Sequence, residues 1–473
     1  MTRLTGKQES TLTAAPGRTV EAALIHPTLI LLALLALPLP GHSHDGKTLL
    51  SQDTFDSSGA GWETACQRQE ISPEFSVDLN KSMTGRGSLS LYGASNSSAR
   101  GCWRKVVEGI EGGAFYTFSA AFASTGIRQT HHRVFARLEW RNAQGGKIGN
   151  TREYPPQNGI TDGEWRFVEH TFQAPESARS VALELFISQA PQGRVWWDNI
   201  QLIEVRPPPH RVVQLATVNC RPGGNSSVAE TVAEFCAVAD KAGAQGADIV
   251  CLGEGINLIG VGRPGGGASK YQHVAEPIPG PTTEALSKVA REHGMYIVAA
   301  LGEREGAVIY NTAVLIGRDG EVKGKYRKVH LPEGEYDQGC SAGDSYPVWE
   351  TDFGRVGIMI CWDSWFVDPA RALAAAGAEI ILLPIWGGNN TLIAARAIEN
   401  HVYVASCGYD VESRIYGPWG ALLAEATERP GVAMVEVDLN YLPSCPWPWP
   451  LSDTRHVLMQ ASRYDVKIPE LER

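Results

Sequence analysis

At 473 residues the chain is too long for one ordinary core, and 43% hydrophobic with 20% charged residues is a globular composition. A net charge of −10 and a pI near 5.7 exclude the basic face that a nucleic-acid binder needs. That acidity reads as simple solubility rather than as attraction for a cationic substrate. Nine cysteines, an odd number, leave at least one outside any intramolecular disulfide.

Residues 1–22 are polar and carry Arg3, Lys7 and Arg18; residues 28–37, TLILLALLAL, form a ten-residue apolar run ending in PLPGHSH. A membrane-spanning helix needs about 20 residues. The run instead has the length and flanks of a secretory signal peptide cut near residues 41–44, and the same segment left uncleaved would be an anchor. Residues 1–45 are therefore expected to be a leader that exports the chain to the periplasm or the exterior. From 46 to 205, short alternating segments (SLSLYG, FYTFSAAFAS, HRVFARLEWRN, WRFVEHTFQA, SVALELFIS, GRVWWDNIQLIEV) are separated by Gly, Asn, Asp and Pro turns. This spacing predicts an all-β sandwich. DTFDSSGAGWE at its start and RVWWDNIQLIEV at its end resemble the jelly-roll modules that bind carbohydrate in secreted enzymes. On that resemblance a polysaccharide or glycan is an expected partner, with Trp62, Trp103, Trp140 and Trp165 either stacking on sugar rings or serving as core residues of strands. Cys66 and Cys102 are the only cysteines of this part and form a candidate disulfide in an oxidising compartment.

Residues 206–211, RPPPHR, read as a stiff linker. Beyond it, strand VVQLATV, a helix over 228–242, strand ADIVCLG, a helix over 283–293 and strands MYIVAAL and VIYNTAVLIG alternate as an α/β domain requires, expected over 212–460. The stretch 354–384, GRVGIMICWDSWFVDPARALAAAGAEIILLP, reads as strand, turn, helix and strand, with Asp368-Pro369 opening the helix. Cys361 stands where the first strand stops, at the kind of rim where clefts open. It is a nucleophile or a small buried hydrophobe. GADIVCLGE likewise ends a strand on Glu254, and KYRKVHLPEGE places Lys328 ahead of Glu333 and Glu335. The proline-rich PSCPWPWP at 443–450 is expected to lack regular structure, and 461–473 form a C-terminal tail.

Glutamate, lysine and cysteine in this order, within YNTAVLIGRDGEVKGKYRKVHLPEGE, the 354–384 stretch and RAIENHVYVASC, resemble the carbon–nitrogen hydrolase, or nitrilase, superfamily. The resemblance implies a four-layer αββα sandwich, so that the whole chain is multidomain, with a jelly-roll sandwich followed by this α/β fold. It also implies a homodimer or larger homo-oligomer. It makes Cys361 the nucleophile, Glu254 the general base and acid, and Lys328, with the backbone N–H of Trp362, the oxyanion donors. A second glutamate is Glu335 or Glu333, and Trp386 and Asn389 shape the acyl pocket. The implied reaction is hydrolysis of a small amide or N-carbamoyl amine through a thioester, with no cofactor and no metal. Asp363 stands after Cys361-Trp362 where nitrilases tend to carry glutamate, which keeps nitrile hydrolysis as the alternative. The reading from a different class is a secreted carbohydrate-binding protein with an inactive hydrolase-like half.

Overall fold

The computed structural model describes residues 47–440 apart from 129, 150–151 and 263–268, so the expected leader and the proline-rich tail lie outside the described residues. Among the described residues no helix is long and apolar enough to cross a membrane.

Residues 47–205 form two antiparallel sheets. The larger runs Glu74–Asp78, Ser88–Tyr92, Arg194–Val205, Phe115–Thr125, Trp165–Gln173, Gln157–Asp162, with Thr48–Gln52 also on Arg194–Val205. The smaller runs Glu63–Cys66, Arg100–Glu108, Ser180–Ser188, Val134–Arg141. Both sheets contribute to one core, because strand alternation sends Leu89, Phe118, Phe122 and Trp197 of the first and Trp103, Leu138, Leu183 and Leu185 of the second into it. The four tryptophans considered for sugar stacking belong inside: Trp62, Trp103, Trp140 and Trp165 are 4, 7, 2 and 6% exposed. Their rings are spent on packing, which decides between the two alternatives in favour of core residues. Cys66 and Cys102 are both free thiols. The register sets Ala65, not Cys66, opposite Cys102, so the expected pair is not formed.

Residues 211–440 carry two further six-stranded sheets, each with three parallel strands at its centre. In one the order is Val322–Arg327, Val308–Ile316, Tyr296–Glu305, Ile249–Cys251, Val212–Asn219, Gly431–Asp438. In the other it is Val348–Glu350, Arg355–Ile358, Ile380–Pro384, Tyr403–Cys407, Arg414–Tyr416, Leu422–Glu425. The parallel strands are apolar on both faces, as strands covered on both sides must be. Ile249, Val250, Ile297 and Val298 of the first sheet and Ile358, Ile380 and Leu382 of the second lie in one core.

Helices close the outer faces. In Val228–Ala244, Val232, Phe235, Val238, Ala239 and Ala242 recur at helical spacing and are buried. Its start is set by Ser227, whose hydroxyl accepts from Glu230 N, while the Glu230 carboxylate accepts from Ser226 N. Pro281–His293 packs beside it with proline at its first position and Gly294 in the left-handed conformation at its end. On the other sheet lie Asp368–Ala375 and Asn390–Asn400, which bury Ala370, Leu373, Ile393 and Ala397.

Candidate active site

Parallel strands deliver their C-terminal ends to one rim, and the sequence candidates sit just past those ends. Glu254 follows Ile249–Cys251. Two antiparallel steps return Val322–Arg327 to the same direction as Tyr296–Glu305, so Lys328, the next residue, reaches the same rim. Cys361 follows Arg355–Ile358 at the first position of the 3-10 helix Cys361–Trp365.

The four side chains meet. Lys328 Nζ donates to Glu254 Oε1 at 2.9 Å and to Glu335 Oε1 at 2.7 Å. Glu335 comes from the short helix Glu333–Tyr336, in which Glu333 is exposed, so geometry selects Glu335 as the partner of Lys328. Asn311 Nδ2 donates to Glu254 Oε1 at 2.8 Å and to Glu335 Oε1 at 3.2 Å, tying both carboxylates to the neighbouring strand. Tyr409 donates from its hydroxyl to the Glu254 carbonyl at 2.9 Å. That approach requires Gly253, where an added Cβ would lie 2.3 Å from the Tyr409 hydroxyl.

Lys328 and Glu254 are almost fully buried, at 1 and 3% exposure. Burial alone would lower the Lys328 ammonium, but the charges of Glu254, Cys361 and Glu335 hold it above its ordinary range. Burial and the nearby Glu254 charge raise the Glu335 carboxyl against the pull of Lys328. Burial first, then Glu254, pushes the Cys361 thiol up to about 12, with Lys328 and the Trp386 backbone opposing. The resting sulfur is therefore a thiol, and it needs a base to become a nucleophile. Glu254 is the carboxylate whose charge bears most on that thiol.

Three acceptor atoms at this rim are buried without a hydrogen-bond partner among the described residues: Glu254 Oε2, Glu335 Oε2 and Asn311 Oδ1. Unpaired buried acceptors are costly. They belong to the residues that hold the Lys328 ammonium and one another, so a bound molecule bringing N–H donors to them would satisfy them.

The turn at Cys361 has its own support. Cys361 has φ of 42°, a left-handed conformation that L residues avoid. Asp363, fully buried, holds it there: Oδ2 accepts from Ile360 N at 2.9 Å and from the Tyr326 hydroxyl at 2.7 Å. Oδ1 accepts from His330 N at 3.0 Å and is 3.2 Å from His330 Nδ1. Tyr326 and His330 flank Lys328 in sequence, so one carboxylate fastens the cysteine turn to the lysine strand.

Trp362 is the second residue of that helical turn, where an N–H has no partner within the helix. Its ring is 36% exposed and lies 5.5 Å from Trp365. Trp386 stands beside the thiol through its backbone, and its ring meets Tyr409 edge to face at 5.2 Å. The Cys361 thiol contacts the next carbonyl, that of Gly387, at 3.7 Å. Asn389 has a different task from the one expected: its side-chain oxygen caps the helix Asn390–Asn400, accepting from Thr391 N at 2.8 Å and Leu392 N at 3.4 Å.

Sequence reasoning missed Asn311, Tyr326, Asp363 and Tyr409. Asp363 adjoined the Cys-Trp pair and was read only as a departure from a pattern. Asn311 signalled itself weakly, as one of two adjacent polar residues, with Thr312, in a mostly apolar strand. Among the described residues no cluster of three or more His, Cys, Asp or Glu side chains could hold a metal ion.

Strand-end thiol, ammonium and paired carboxylates over two facing α/β sheets define a recognisable class. The carbon–nitrogen hydrolase family model matches residues 211–446. The chain is 31% identical over 239 residues to the omega-amidase NIT2 of Xenopus tropicalis, covering 45% of this chain and 84% of that protein. It is 36% identical over 202 residues to the human deaminated glutathione amidase, covering 36% of this chain and 62% of that one. A solved carbon–nitrogen hydrolase from Helicobacter pylori superposes with a TM-score of 0.45 at 21% identity, over 56% of this chain and 99% of that chain. The chain belongs to the carbon–nitrogen hydrolase family.

Proposed function

We propose that the protein hydrolyses the non-peptide C–N bond of a small amide or N-carbamoyl amine through a thioester on Cys361. The observation that carries this reading is the meeting of Glu254, Lys328, Glu335 and Cys361, where Glu254, Glu335 and Asn311 each keep a buried acceptor unpaired among the described residues. An amide NH₂ supplies the N–H donors those acceptors lack, and the amide names of the relatives agree.

In the first half-reaction Glu254 takes the thiol proton while the sulfur forms a bond to the carbonyl carbon. The carbonyl π electrons move to oxygen, and the oxyanion is met by the Lys328 ammonium and the Trp362 N–H. Protonated Glu254 then gives its proton to the nitrogen, the C–N bond breaks, and ammonia or an amine leaves. Water, deprotonated by Glu254, attacks the thioester. The carboxylic acid departs and the sulfur recovers its proton. Glu335 keeps Lys328 directed at the oxyanion. Losing one oxyanion donor would cost about 3 kcal/mol in the transition state.

The remaining architecture is part of the same reading: a jelly-roll module over 46–205, a linker, a four-layer αββα hydrolase over 212–460, assembly as a homodimer or larger, and export by the leader. Any glycan contact by the β-rich part falls to residues other than its buried tryptophans.

Ammonia and amine release from a panel of primary amides, N-carbamoyl amines and nitriles tests the proposal. Turnover of amides or carbamoyl amines that needs Glu254, Lys328 and Cys361 is the expected result. Nitriles as the preferred substrates would replace it with the nitrilase reading, and inertness to the whole panel would leave a binding protein.

A further inference from the structure

Residues 47–205 carry a polar cluster that the hydrolase chemistry does not use. It lies on the face of the smaller sheet turned away from the core. Alternation places Arg104 of Arg100–Glu108, Glu184 of Ser180–Ser188 and Arg137 of Val134–Arg141 side by side in one register line. Cys102, Phe186 and Phe135 form the next line and a small apolar cluster of their own. The two phenylalanine rings stack at 4.7 Å and 14°.

Glu184 is fully buried and is gripped from both sides. Arg104 Nε donates to its Oε1 at 2.8 Å, and Arg137 Nε donates to its Oε2. Burial alone would raise the carboxyl, but the two guanidiniums hold it below the usual range, so it is ionised. The third arginine is different. Arg100 lies over the faces of Phe135 and Phe186, 5.8 and 5.9 Å from the ring centroids. Its Nε is buried and has no hydrogen-bond partner among the described residues.

These side chains wall a pocket of about 100 Å³ on this face of the sheet, with Arg100, Arg104, Arg137, Gln67 and Phe186 in its lining. Three guanidiniums face one carboxylate there, so positive charge is in excess. Another buried carboxylate of this sheet, Glu139, is occupied by Arg141 at 3.1 Å and Arg152 at 2.9 Å. Glu63, opposite Arg104 in the register, is exposed. A buried donor without an acceptor is costly, and a guanidinium fork fits a planar carboxylate.

We propose that this pocket binds the carboxylate group of a small acidic ligand, with Arg100 as the principal donor and Arg104 and Arg137 completing the field. The volume is below the roughly 300 Å³ of a site that encloses a whole drug-sized molecule. It takes the head group and leaves the rest of the ligand in solvent. An acidic sugar or a simple organic acid supplies the same group.

Calorimetric titration of the full chain with sodium acetate and sodium glucuronate, and with glucose as the neutral control, tests the assignment. Acetate and glucuronate should both bind and compete with one another, and glucose should not bind. Arg100→Gln should weaken binding about ten-fold or more, the usual worth of a charge-assisted pair. Arg100 has no ion pair among the described residues, so Arg100→Gln gives up only its contacts over Phe135 and Phe186, and it should still fold cooperatively and keep its amide turnover. Arg100→Lys keeps the charge without the fork and should fall between the two. Absence of binding at about 50 mM carboxylate, or equal affinity in the native chain and both variants, would overturn the site. Glucose binding as well as glucuronate would also overturn it, since a carboxylate would then not be what is recognised.

Discussion

At the scale of single residues, the strained backbone at Cys361 is the feature with the clearest consequence. A side chain in the left-handed region costs about 1 kcal/mol relative to glycine, which adopts it freely. The φ of 42° is held because Asp363 accepts from Ile360 N just before the turn and from Tyr326 and His330 across it. Both Cys361→Ala and Cys361→Gly should lose essentially all amide turnover, since each removes the sulfur. The glycine variant should nevertheless melt at the higher temperature of the two, because it alone relaxes the turn. Calorimetry on the pair decides this, and a glycine variant that melts below the alanine variant would show that the turn stores no strain. His401 has a φ of 52° and ends the helix Asn390–Asn400, an ordinary use of the same conformation. Only at Cys361 does it coincide with the meeting of thiol, ammonium and carboxylates.

At the scale of elements, Lys328 depends on the strand that precedes it. Glu303, on Tyr296–Glu305, accepts from Thr312 at 2.6 Å, from Arg327 at 2.9 Å through two nitrogens, and from Lys325. It therefore pins Val322–Arg327 one residue ahead of the catalytic candidate. Burial alone would raise its carboxyl, but the bonds from Arg327, Lys325 and Thr312 bring it down to about 2. A carboxyl depressed in the folded state stabilises fully above its ordinary value of 4.5, and that contribution fades as the pH falls toward 2. The shift corresponds to about 3 kcal/mol at neutral pH. Denaturant unfolding should accordingly show Glu303→Gln less stable than the native chain at pH 7. By pH 3, roughly midway through that window, the gap should shrink by more than half. A gap of the same size at both pH values would mean that the clamp acts through packing rather than charge.

At the scale of the molecule, two hydrophobic cores stand apart in the sequence. One is drawn from residues 49–202 and the other from 213–439. Glu254, Lys328, Glu335 and Cys361 all belong to the second, within the matched family region. If the proline linker divides two independent units, a chain beginning at residue 206 should fold cooperatively and turn over small soluble amides within a few-fold of the full protein. Circular dichroism and ammonia release check both halves of that statement. A folded but inactive product would show that the β-rich part builds some of the active site.

Much of this was legible before any coordinates. Strand-end positions for Glu254 and Cys361, and the lysine between them in sequence, follow from short apolar runs broken by glycine or a turn. Such runs are local, and local patterns survive in one dimension. The proline linker and the helix starts at Ser227 and Asp368 are local too. What sequence could not supply was which face of a strand is covered. Trp103 and Trp140 alternate with their neighbours whether a second sheet covers them or water does, and only the facing sheet made them core, while Trp165 is buried on the other face of its own sheet beside Ala121 and Ala123. The same limit kept Glu333 as an alternative to the favoured Glu335 until the short helix turned Glu335 toward Lys328 and Glu333 to solvent. Asn389 read as a pocket residue until the helix behind it claimed its oxygen. Asp363 and Asn311 gained their roles from partners 33 and 57 residues away. Long-range hydrogen bonds of this kind depend on strand register and on the approach of two sheets, quantities that the tertiary fold alone decides.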